Sequence, residues 1–356
     1  MFEAAPELPA EFAADLAAAL GTFDILTPLS FSFCGEPPVD VGAAAMGPGW
    51  LGASIAAPVD PTAADLLAQA IQATLYDRCY AHRLGETRGQ PDAAMVEDAA
   101  FGRHLVEANS GRERWDPGWV IYQFGANGQV FVRKGERERA AMPGAFISDT
   151  LPGQAPQIGT SVRLRAPREA TGLQPGYYFA FGETLDEIAD QLSLVRFYFH
   201  CAAEKAAPLL AALSPALNRF QVPFQAKAPA SAALYDRTDA AVLYVAARYF
   251  AITARIVAEL CERVSLAPSV PLFTKRLWPG VGVAADPGGG ESFGSHRCRL
   301  TAEGIVDAWR EGKQDVPARL SSVARRFSAV GLDLTRPHLG PGCVDLFLAP
   351  APTSLP

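Results

Sequence analysis

Apolar and polar positions follow two periods along the chain. From Asp60-Pro61 to about Tyr80 apolar residues recur at helical spacing, which predicts a helix with Asp60 as cap and proline in its first turn. Residues 1–110 as a whole read as a mainly helical, alanine-rich region. Positions 35–60, rich in Gly, Pro and Ala, are read as loop. From Trp115 the period changes to two. Gly118–Phe124 and Gln129–Lys134 flank Asn127-Gly128, a pair that closes tight hairpins. Further strands are predicted at Ser161–Ala166, Tyr177–Phe181, Leu194–His200, Gln221–Lys227 and Pro271–Leu277, with helices near 203–217, 239–264, 292–312 and 317–330. No regular βαβ rhythm emerges, so the expected class is α+β: a mixed or antiparallel sheet with packed helices over 111–356, after the helical 1–110.

Composition narrows the function. With 356 residues and 49% hydrophobic content the chain can bury a sizeable core. A net charge of −7 argues against nucleic acid as the main partner. No run reaches the roughly 20 apolar residues of a membrane helix. Glu3 and Glu7 lie where a signal peptide is basic, so no membrane and a cytoplasmic location are expected. Cys34, Cys79, Cys201, Cys261, Cys298 and Cys343 are widely spread without metal-ligand spacing and read as reduced thiols, with no metal and no cofactor implied.

Candidate chemistry concentrates in the last two-thirds. In Val195–His200 strict alternation puts Arg196, Tyr198 and His200 on one face and Phe197 and Phe199 on the other, either a pocket wall or an exposed sheet face. In Gln221–Lys227, Lys227 shares a face with Gln225. An amine near apolar surroundings loses protonation and can act as a base, although a lysine snorkelling from a strand end reads the same way. Tyr235-Asp236-Arg237-Thr238-Asp239 precedes the predicted helix from Ala240, which Thr238 or Asp239 could cap, leaving Arg237 as an anion ligand. Lys275 and Arg276, a glycine-rich loop, and a capped helix start with His296 and Arg297 form an anion-site candidate. The same glycines also suit a turn. Arg163, Arg165 and Arg168 read as a groove extension or as solvated charges. His82, His104 and His338 receive no role. Walker, Rossmann and kinase motifs are absent.

Taken in order, Arg196-Phe-Tyr-Phe-His200, Gln221 to Lys227, Tyr235 to Tyr244, Pro271 to Lys275 and Glu291 to Arg297 resemble the HopA family of type III secreted effectors, from about Trp115 to about Asp345. Bacterial members also occur as stand-alone subunits in class V lanthipeptide and thioamitide biosynthesis, and for such a subunit the resemblance implies a lyase. A separate kinase-like phosphotransferase would phosphorylate Ser or Thr in a precursor peptide carrying a leader. The HopA-like subunit would then eliminate phosphate to leave dehydroalanine or dehydrobutyrine.

Such a reaction needs a base, cations for the leaving phosphate and an acid. Lys227 is expected as base, His200 as acid with His296 the alternative, and Tyr235 and Tyr198 as orienting groups. Arg196, Arg237, Lys275 and Arg297 are expected as phosphate ligands, with Lys227 and Lys275 interchangeable in role. Asp239, Arg276 and Gln225 are further candidates. The competing expectation is a non-catalytic effector or leader-peptide scaffold.

Overall fold

A computed structural model describes residues 8–44, 62–85, 98–151 and 153–350. The predicted cap Asp60-Pro61 and much of the 35–60 stretch lie outside them. Helix α1 (Ala10–Gly21) leads into strands β1 (Phe23–Thr27), β2 (Ser30–Phe33) and β3 (Val39–Asp40) and the short turn of helix α2 (Val41–Ala44). Helix α3 (Ala63–Leu75) begins at a capping box in which Thr62 and Asp65 each bond the other's backbone N–H. It continues into a π-helical turn, Tyr76–Tyr80, and α4 (Ala99–Ala108) follows. The three short strands β1 to β3 are absent from the sequence reading, because runs this brief carry too few positions for a period-two signal.

Strands β4 (Arg114–Phe124), β5 (Val130–Lys134), β6 (Arg137–Ala141), β7 (Phe146–Ser148) and β8 (Ser161–Ala166) form an antiparallel sheet in the order β6-β5-β4-β8-β7. Asn127 and Gly128 turn the β4–β5 hairpin with φ of 56° and 77°, the left-handed backbone that favours these two residue types. One face of this sheet buries Trp119, Ile121, Val130, Val132 and Val162 in a small core of its own.

The rest of the chain builds a larger antiparallel sheet from β9 (Glu169–Ala170), β10 (Tyr177–Phe181), β11 (Leu194–Phe199), β12 (Phe224–Pro229), β13 (Ala241–Ala246), β14 (Lys275–Trp278) and β15 (Val281–Ala285). Its order is β14-β15-β11-β13-β12-β10-β9. Between and after the strands come α5 (Ile188–Gln191), α6 (Ala203–Arg219), α7 (Phe250–Cys261), α8 (Phe293–Arg310) and α9 (Val316–Ala329). On one face Phe197, Phe199, Leu243, Val245 and Val283 pack with apolar side chains of α6 and α7. On the other, Tyr198, Val242 and Ala284 join a core shared by α1, α3, α8 and α9. Full burial of each such apolar side chain contributes roughly 1.5–3 kcal/mol, so a central strand covered on both sides is held mainly by packing.

That double burial corrects the predicted helix over 239–264. Ala241–Ala246 is the strand β13, paired with β11 on one side and β12 on the other, and the helix starts only at Phe250. A continuous apolar run reads alike as buried helix or buried strand. The capping roles of Thr238 and Asp239 lapse with it. Thr238 instead donates its hydroxyl to the Tyr80 carbonyl (2.7 Å) and its N–H to that of Ala81 (2.7 Å). Two strand starts also shift. Gln221, at φ 52°, closes α6, so β12 begins at Phe224, and Pro271–Thr274 is a turn before β14.

Helices α8 and α9 approach closely at Gly304, where a Cβ would sit 2.7 Å from the Cα and backbone N of Val323. Backbone cannot swing aside as a side chain does, so Gly304→Ala should destabilise the protein by about 1–3 kcal/mol. A urea titration would show this as a lowered midpoint with unchanged slope.

Candidate active site

Pleating and register assemble the site before any side chain is considered. Lys227 lies opposite Val242, which lies opposite Tyr198; one row away Gln225 faces Tyr244, which faces Arg196. Alternation therefore gathers Lys227, Gln225, Tyr244, Arg196 and Tyr198 on the sheet face turned toward α3 and α8. Tyr177, on β10, brings its ring beneath the amine, with Lys227 Nζ 3.9 Å from the centroid.

Arg237 and Asp239 stand at the entry to β13 and form a forked pair, with Nε 2.8 Å from Oδ1 and Nη2 3.0 Å from Oδ2. Burial works against the Arg237 charge, but Asp239 more than offsets it and holds the guanidinium above its usual range. The π-helical turn adds Tyr76, whose hydroxyl accepts from Arg237 Nη2 (3.2 Å) and donates to Asp239 (3.3 Å). Tyr76 stacks on Tyr80 at 5.2 Å. Insertion of a wider turn lets both rings face the sheet, a use of π-turns seen at functional sites. Arg196 is clamped to Asp286 (Nε to Oδ2 2.6 Å) and lies over the Tyr244 ring at 5.2 Å.

Within this setting Lys227 is pushed down to about 8. Desolvation by burial is the main cause; Arg237 and Arg196 act in the same direction and Asp239 opposes them. Among the described residues no carboxylate forms an ion pair with its ammonium. An appreciable fraction of neutral amine is thus present near neutral pH, flanked by two guanidiniums.

Other predicted residues lie elsewhere. Tyr235 is buried against Phe101 and donates to the Pro229 carbonyl at 3.0 Å. Arg297, 1% exposed, holds the carbonyls of Pro337 (2.7 Å) and Leu339 (2.8 Å) over the Phe293 ring. Its bonds tie α8 to the 337–339 segment. His296 is pushed down to about 4, by burial and then by Arg297, so it is neutral at pH 7. His200 sits just past β11, its Nδ1 2.9 Å from Ser269 Oγ. Two strand spacings and two residues separate it from Lys227, about 12 Å between backbones. Lys275 lies opposite Val283, on the other face of the sheet from Arg196. Its Nζ binds Asp345 (2.7 Å), which also meets His338 Nε2 (3.2 Å), in a separate cavity of about 530 Å³. Arg276 pairs with Glu11 at 2.6 Å.

Four further residues of the site, Tyr76, Tyr177, Tyr244 and Asp286, are not among the candidates that the sequence offers. Tyr177 and Tyr244 were findable, since each alternates on a strand; Tyr244 was hidden by the helical reading of β13. Nothing local to Tyr76 or Asp286 signals an arginine partner.

Residues 169–339 match the HopA1 effector protein family. This HopA1-like region contains Lys227, Arg196, Arg237, Asp239 and Asp286, whereas Tyr76 precedes it. The effector protein from Pseudomonas syringae pv. tomato strain DC3000 aligns over 80% of this chain and 91% of its own at 16% identity, with a TM-score of 0.42. One from Pseudomonas syringae pv. syringae strain 61 aligns over 75% and 88% at 14% identity, with a TM-score of 0.41. None of the curated proteins matches the chain.

The opposed influences on Lys227 are separable. Asp239→Asn removes the charge that favours the ammonium, so the lysine pKa should fall below about 8, whereas Arg237→Met should raise it. Titration followed by NMR of isotope-labelled lysine side chains would register the two opposite shifts; shifts of the same sign would refute this account.

Proposed function

We propose that the chain is a phosphoserine/phosphothreonine lyase acting on a ribosomal precursor peptide that a separate kinase-like phosphotransferase has phosphorylated. The observation that carries this reading is the depressed Lys227 amine between two arginines. In the reaction, Lys227 Nζ takes the Cα proton. The released electron pair forms the Cα=Cβ bond, and the Cβ–O bond breaks, so that phosphate departs with the bridging oxygen. Dehydroalanine or dehydrobutyrine remains in the peptide.

Arg237 and Arg196 would carry the growing negative charge. Each spends Nε and Nη2 on its aspartate; among the described residues Nη1 of Arg237 makes no hydrogen bond, while Arg196 also faces the Tyr198 hydroxyl. Two fixed cations that need no reorganisation stabilise a leaving dianion strongly where water is scarce. Above its second pKa near 6 the ester is a dianion, so the departing bridging oxygen takes up a proton; the ammonium formed on Lys227 supplies it, with His200, about 12 Å from Lys227 along the sheet, the alternative acid. Tyr177 and Tyr76 fix the directions of Lys227 and Arg237. Among the described residues no helix is long and apolar enough to cross a membrane. A cytoplasmic workplace beside the kinase fits this reading.

Mass spectrometry of a phosphoserine or phosphothreonine peptide incubated with the protein, with and without the partner kinase, tests the proposal. Loss of phosphoric acid with a thiol-trappable alkene is expected, reduced at least about 100-fold by Lys227→Ala. Survival of a phosphopeptide that still binds would favour the scaffold reading. Because the base works as the neutral amine, the rate should climb with pH until about 8 and level off above it. A rate independent of pH between 6 and 9, or a maximum on the acid side, would remove Lys227 from the role of base.

A further inference from the structure

The two large sheets leave a groove between them with a volume of about 900 Å³. That lies near the upper end for small-molecule sites and exceeds what one phosphorylated residue fills. Its inner end is formed by Gln225 and Tyr244, which share a row with Arg196 next to that of Lys227, and by Asp286, the partner of Arg196. Its outer wall comes from β4, β6 and β8 and presents Arg114, Arg137 and Arg139.

The charges on these walls are unequally satisfied. Asp116 is taken by Lys134 (2.5 Å), Asp186 by Arg137 (3.2 Å), Asp190 by Arg248 (2.7 Å) and Asp286 by Arg196. Glu138 accepts from Tyr122 at 3.3 Å, and alternation along β6 turns it away from Arg137 and Arg139. Two cations have no such partner among the described residues. Arg139 rests on the buried Trp119 ring at 5.5 Å without an ion pair. Arg114 donates Nη2 to the Gly182 carbonyl, but its Nε and Nη1 are buried with no hydrogen-bond partner. Both guanidiniums therefore keep positive charge on the groove wall without a carboxylate at ion-pair distance among the described residues, and such a charge attracts anionic segments over several ångströms.

We infer that this groove receives the peptide on one side of the phosphorylated residue, and that Arg114 and Arg139 select a segment bearing carboxylates. The inference rests on the Lys227 face being the phosphopeptide site. It specifies the substrate as acidic beside the phosphorylated position, with the flanking segment passing from Gln225 outward between the sheets.

Fluorescence anisotropy with two labelled phosphoserine peptides tests it, one flanked by Asp and Glu and the other by Asn and Gln. Wild type should bind the acidic peptide about tenfold more tightly at low salt, and Arg139→Gln and Arg114→Gln should each reduce that preference. Arg139 is exposed, so its variant stays informative even if Arg114→Gln unfolds. Equal binding of the two peptides by wild type, or a preference that survives Arg139→Gln, overturns the inference. Mass spectrometry of the same wild-type mixtures judges the lyase reading separately: elimination from both peptides without any preference leaves the lyase and removes the groove. A preference that depends on the arginines, without elimination, leaves the groove and removes the lyase.

Discussion

The site depends on an amine kept where solvation is poor. Lys227 is flanked by an aromatic ring and two arginines rather than by a carboxylate of its own, and its protonation follows from that environment. The two aspartates nearby are committed to the guanidiniums. This division matters chemically: with both carboxylates spent on guanidiniums, Asp239 restores only part of what burial and the two arginines take from the ammonium. Moving Asp239 from Arg237 to Lys227 would restore an ordinary ammonium.

The region matched by the HopA1 family does not build this environment unaided. The π-helical turn following α3 supplies Tyr76 and is pinned to the strand entry through the hydrogen bonds of Thr238. A single widened turn thus converts a helix of the first third into part of the site wall. Gly294 serves the same junction, since a Cβ there would come within 2.4 Å of the Tyr80 ring. Packing of α8 and positioning of Tyr76 are consequently one constraint.

Much of this was legible in the sequence, and the failures have physical causes. Alternation placed Arg196 with Tyr198, and Lys227 with Gln225, because each strand has one polar and one apolar side. The same logic failed at Ala241–Ala246, where both sides are covered and alternation disappears. The place of Arg297 near a helix start points to a phosphate ligand, but burial commits it to backbone carbonyls. Lys275 falls away from the other cations because sequence reveals which residues alternate within a strand, not which face of the completed sheet each strand presents. Tyr76 and Asp286 depend on tertiary partners and had no local signature.

Sheet order has a consequence for how activity arises as the chain folds. The row of site residues crosses the consecutive strands β12 and β13 and the earlier β11, but Arg196 reaches Asp286 across 90 residues, and the supporting contact between Gln72 and Ser295 joins positions 223 residues apart. Closing such long loops carries an entropic cost before any contact compensates it, which slows folding of this kind of topology. The lysine therefore spends the early life of the chain as an ordinary solvated ammonium. Its lowered proton affinity is acquired only when the sheet and the helices that bury it have docked, so an incompletely synthesised chain lacks the one feature that sets this lysine apart from the others.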